Sequence, residues 1–151
     1  MEIFKKFWNK INTAEYNKYL KSYYAQKADG IVIVPHSMGY APCSGSKEEK
    51  KAEKFYKLAR GIAMDCENTF EMGQAMDYYG KAAKMGHIPA IYECAQLILI
   101  MAENSLLDGE PTIWPTIIEV SIAYLEDAAM AGIEDARREL ETLYFKKPGY
   151  F

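Results

Sequence analysis

The segment with the clearest chemical potential is Ile31-Val32-Ile33-Val34-Pro35-His36-Ser37-Met38-Gly39. A β-branched run leading into His-Ser-x-Gly resembles a nucleophile elbow, where a serine on a strained turn attacks a carbonyl with a histidine as base. That turn needs glycine on both sides of the serine. Here Pro35 stands in place of the first glycine, and Tyr40-Ala41-Pro42 follows where a helix would begin. The one other histidine is His87, and no alternation of strands and helices supplies a parallel sheet. A serine hydrolase built on Ser37 is therefore the least favoured reading, and the chain is expected not to be an enzyme.

Other site chemistry is sparse. His36 and Cys43 are close in sequence, but CxxC and HExxH spacings are absent, as is a glycine-rich phosphate loop. Paired acids such as Glu126-Asp127 and Glu134-Asp135 fit solvated helix faces and turns. No metal, cofactor or small-molecule substrate is expected. Cys43, Cys66 and Cys94 form an odd, scattered set unlike a disulfide framework. Lys5, Lys6, Lys10, Lys18, Lys21 and Lys27 interleave with Trp8, Tyr16, Tyr19, Tyr23 and Tyr24. Cations among aromatics can hold a single-stranded nucleic acid, which gives the first alternative function. Their helical spacing favours rings packed inward and lysines in water.

The elements that would carry these residues are helices. Ile3, Phe4, Phe7, Trp8 and Ile11 form an apolar stripe at helical period. Asn12 with Glu15 reads as a capping box restarting the helix toward Tyr24, and Asp29-Gly30 ends it. Residues 31–46 read as a connector with an extended piece, since no second strand is present to pair with it. Ser46 with Glu49 opens a helix reaching about Asp65, and Asn68 or Thr69 opens one to Met85, stopped by Gly86. Pro89 sits in the first turn of a helix reaching about Glu103, and Pro115 starts one ending at Gly132. Glu134 or Asp135 begins the last. Residues 1–46 are expected to cap the same domain, and residues 47–151 to form a repeat region.

Charge is split along the chain. Residues 1–60 carry 12 Lys/Arg against 6 Asp/Glu, and residues 61–151 carry 6 against 15. An acidic second half disfavours nucleic acid there and favours a basic partner. No apolar stretch reaches the length of a membrane span, and the opening MEIFKKFWNKIN lacks the apolar core of a secretory signal, so a cytoplasmic location is expected.

Self-similarity is the strongest feature. Tyr78, Ala82, Ala83, Gly86, Ala90 and Leu97 recur 46 positions on as Tyr124, Ala128, Ala129, Gly132, Ala136 and Leu143. Phe55-x-x-Leu58-Ala59-x-x-Ile62 recurs 36 positions on as Ile91-x-x-Cys94-Ala95-x-x-Ile98. Paired alanines allow close helix approach, and each glycine closes a helix in a left-handed conformation. The pattern resembles the Sel-one-like repeat family, relatives of the tetratricopeptide repeat, over about residues 48–147. Cys94-Ala95 and Leu140-Glu141 depart from the family's Leu-Gly pair, and the insertion after Met101 is unusual.

The resemblance implies an all-α fold: a short right-handed α-solenoid of stacked antiparallel helix pairs, with an N-terminal helical extension and an irregular connector. It implies function by binding. The first helix of each pair would line a concave face bearing Tyr56, Arg60, Tyr92, Gln96, Leu99, Arg138, Thr142 and Phe145. A protein–protein interaction module is expected, in its sharper form a bacterial immunity or adaptor protein binding a basic toxin or effector domain.

Overall fold

The computed structural model describes residues 2–28, 46–104, 106, 112 and 114–146; of these, the side chains of Glu2, residues 46–48, Phe145 and Lys146 are outside the description. Seven helices make up the described residues: α1 (Glu2–Ile11), α2 (Ala14–Ala28), α3 (Ser46–Met64), α4 (Thr69–Lys84), α5 (Ile88–Glu103), α6 (Trp114–Met130) and α7 (Glu134–Lys146). No strand occurs among them. The segment 31–45, with His36, Ser37 and Cys43, lies outside the described residues.

Helix ends are set by local chemistry. The Asn68 side chain accepts the Glu71 N–H at 2.9 Å and donates to the Glu71 carboxylate at 3.0 Å. The α2 cap differs from the expected Asn12–Glu15 box. Thr13 is the last residue before the helix, and its hydroxyl oxygen receives the Tyr16 N–H at 3.1 Å. Its hydroxyl hydrogen goes to Asp135 on α7, so one side chain both starts α2 and ties it to a distant helix.

The two repeated turns are the same structure. Gly86 has φ +83° and Gly132 φ +105°. His87 N donates to Ala82 O at 3.1 Å, and Gly86 N to Ala83 O at 2.9 Å. At the second turn, Ile133 N donates to Ala128 O and Gly132 N to Ala129 O, both at 3.0 Å. Both are Schellman closures, which satisfy carbonyls that a helix end would leave orphaned. Ala82, Ala83, Ala90, Ala128 and Ala136 are fully buried, and Ala129 is half-buried. Their lack of bulk lets successive helices approach closely.

Each helix from α3 to α7 packs on the next in sequence. The N-terminal helices pack across the others: α1 lies on α5, and α2 on α7 with side chains reaching α3 and α5. Helix α5 is thereby enclosed, and every residue from Ile88 to Ala102 is buried. The core runs through Phe7, Ile11, Met72, Tyr79, Ile91, Leu97 and Leu125, all with no exposed surface. No helix among the described residues is long and apolar enough to cross a membrane.

Candidate functional site

The centre of the molecule is polar. Glu93 sits in the run Ile88–Ala102 on α5 with 0% exposure. A lone carboxylate there would be costly without partners. It has four. The hydroxyls of Tyr16 (2.6 Å), Tyr56 (2.5 Å) and Tyr79 (2.9 Å) donate to it, as does Arg60 Nε at 2.9 Å. These donors come from α2, α3 and α4, so one carboxylate joins four helices. The Arg60 guanidinium also lies over the Trp8 and Tyr56 rings, 5.4 Å from each centroid. Burial, then the neighbouring Glu93 charge, hold the hydroxyls of Tyr16, Tyr56 and Tyr79 well above the usual tyrosine range.

A second cluster adjoins the first. His87 is the N-cap of α5: its Nδ1 accepts the Ala90 N–H at 3.2 Å. That role fixes a neutral imidazole protonated at Nε2, which donates to Glu53 at 2.7 Å. Tyr24 (2.8 Å) and Lys27 (3.3 Å), both on α2, complete the Glu53 shell. Burial raises the Glu53 pKa, but the bond from His87, that ring's charge once protonated, the bond from Tyr24 and the Lys27 charge outweigh it and hold it at about 2. The His87 ring lies against Tyr56, centroids 4.5 Å apart, and meets Tyr23 at 5.6 Å. Both ring nitrogens are committed and the residue is 2% exposed, so this pair ties α3 to the start of α5.

The surface expected to grip a partner is largely covered by the chain's own N-terminal helices. Tyr56, Tyr92, Gln96 and Leu99 are at most 3% exposed. Tyr16 of α2 packs on Tyr92, ring centroids 4.6 Å apart. This corrects the expectation of an open face at these positions, because α1 and α2 occupy it. Arg60 is half-buried on Glu93. Arg138 is exposed and paired with Glu15 at 2.8 Å, and Thr142 is exposed with its hydroxyl on the Arg138 carbonyl at 3.1 Å. The Phe145 side chain lies outside the description.

Sequence reading missed Glu93, Glu53, Tyr16 and Tyr79 as a joined set. The available signal was Glu93 itself, a single acid in an otherwise apolar helical run. The charge split is also partly met inside the chain: Lys10 pairs with Glu139 at 2.8 Å, and Arg60 with Glu93. Of the aromatics considered for stacking nucleotides, Tyr16 and Tyr23 are in the core, Trp8 and Tyr19 are half-buried and Tyr24 is 37% exposed. Among the described residues no cluster of acids, histidines and cysteines could hold a metal. Comparison with known proteins yields no match to a family model, a curated protein or a solved structure.

Proposed function

We propose that this chain is a non-catalytic, Sel-one-like helical-repeat module that binds another protein. In this reading α3–α4 and α5–α6 are stacked pairs of a short right-handed solenoid, and α7 is the first helix of a third. The repeated Schellman turns and buried alanines support it. α1 and α2 then fill the groove made by the first helices of the pairs.

The observation that carries the reading is how that groove holds α2. Carboxylates at Glu53, Glu93 and Asp135 receive Lys27, Tyr24, Tyr16 and Thr13 from it. The face is chemically suited to hold a helix rich in lysine and tyrosine, and a basic domain of a toxin or effector would use the same chemistry by displacing α2. An immunity or adaptor role in a bacterial cytoplasm is the specific form of the proposal. Affinity purification from the native host, with mass spectrometry, tests it. A stoichiometric protein partner with a basic domain is expected, and recovery of the chain alone counts against the reading.

A further inference from the structure

The internal repeat assigns a role to a groove of about 860 Å³ along α3, lined by three lysines (Lys50, Lys54, Lys57), two acids (Glu53, Asp65) and Leu58, Gly61 and Ile62. Moving 36 positions along the repeat maps this stripe onto α5: Lys54 onto Ala90, Lys57 onto Glu93, Leu58 onto Cys94, Gly61 onto Leu97 and Ile62 onto Ile98. On α5 all five are buried, and the Glu93 position is reached from the preceding pair by Tyr56, Arg60 and Tyr79. That side of a first helix is where the previous pair packs.

On α3 the same side is open among the described residues. Leu58 is 40% exposed where Cys94 is 2% exposed. A Cβ built on Gly61 meets nothing within 4 Å. Helix α2 reaches this helix at Glu53 through Tyr24 and Lys27, and Leu58 and Gly61, further along, stay exposed. The end of a repeat stack is normally finished by a helix with a polar outer face. Here the outer face is mixed: Lys50, Lys54, Lys57 and Asp65 are exposed, with Gly61 and the apolar Leu58 and Ile62 between them.

We infer that α3 docks an acidic amphipathic helix of a partner protein, which packs its apolar side on Leu58, Gly61 and Ile62 and sets carboxylates against Lys50, Lys54 and Lys57. The helix takes the place of the missing preceding pair and lengthens the stack by one element. The lysine edge selects its charge, because Glu53 is already committed to Tyr24, Lys27 and His87, and a basic helix would meet Lys50, Lys54 and Lys57. A second copy fits less well: the α7 surface it would offer alternates Glu134, Arg137 and Glu141, already paired with one another. The inference rests on the reading of the chain as a binding module.

The test uses the full chain and two fluorescent synthetic peptides. One is an amphipathic helix with leucines at i, i+3, i+4 and i+7 and glutamates elsewhere; the other is its lysine twin. The glutamate peptide should bind, weaken with salt, and bind the Lys54→Glu/Lys57→Glu variant about tenfold less tightly or worse. Gly61→Glu, whose Cβ meets nothing within 4 Å, should abolish binding with the circular dichroism unchanged. The lysine twin should not bind. Equal binding of the two peptides, or unchanged binding by both variants, overturns the inference. So does a photocrosslinker at position 58 that captures residues 29–45 of the same chain, or a dimer that Gly61→Glu dissolves. A host partner retained by Gly61→Glu removes this surface but leaves the binding module standing. A chain that captures no host partner, yet shows the peptide behaviour, removes the module and not the surface chemistry.

Discussion

The Tyr16 hydroxyl donates to the Glu93 carboxylate at 2.6 Å, joining residues 77 positions apart with no solvent access to either group. A buried charge with four donors is neutral or modest in net stability, but removing a member exposes the full cost of the others.

Tyr16→Phe should therefore cost about 1.5–3 kcal/mol, the range for a hydrogen bond to a charged group. Glu93→Ala should cost about 3–5 kcal/mol, because it leaves buried hydroxyls without an acceptor. Urea denaturation measures both. In the Glu93→Ala background, Tyr16→Phe should cost much less, and a purely additive double mutant would show that the two do not act together.

The glycines among the described residues divide into two classes with opposite responses to alanine. Gly86→Ala and Gly132→Ala force a side chain into the left-handed region and should each lose about 1–2 kcal/mol. Gly61→Ala, Gly73→Ala and Gly80→Ala sit within helices with open space around the added carbon, and should each gain about 0.5–1 kcal/mol. Thermal melts of the five variants check the sign at each position.

Alkaline titration followed by tyrosinate absorbance should reveal a silent set. Burial, reinforced by Glu93, keeps Tyr16, Tyr56 and Tyr79 protonated in the folded chain. They should ionise only as the protein unfolds, in step with the loss of helical circular dichroism. Early ionisation of all twelve tyrosines would contradict the cage around Glu93.

Acid should weaken the fold in two stages. His87 has its pKa lowered from 6.5, first by burial, and a protonated ring cannot accept the Ala90 N–H. A depressed folded pKa means that this contribution is present above pH 6.5 and is lost as pH falls below it. Glu53, held at about 2 against 4.5, follows the same sign: its contribution is intact above 4.5 and drains toward pH 2. Melting temperature against pH should decline in those two windows. His87→Asn keeps a capping acceptor and should remove the upper one. An unaltered profile in that variant would mean that His87 does not titrate with unfolding.

Much of the fold was legible because it is encoded in short windows. The Asn68 cap, Pro89 in a first turn, and the Ala-Ala-x-x-Gly closures each involve residues within one helical turn or so. The partner-facing side was not. Tyr56, Tyr92, Gln96 and Leu99 sit on the correct helices, yet whether they face a partner or the chain itself depends on where α1 and α2 travel. Thr13 shows the same limit on a small scale: both Asn12 and Thr13 can cap a helix, and the contact with Asp135 favours Thr13.

By itself the sequence determined that the described chain is helical, where most helices begin and end, and that two turns repeat 46 residues apart. Periodicity and capping act over a few residues, so the order of the chain is enough to express them. Only tertiary structure decided that Glu93 is the hub and that the N-terminal helices lie on α5 and α7. The donors to Glu93 lie 77, 37, 33 and 14 positions away, and burial of one carboxylate forces them together whatever their separation along the chain.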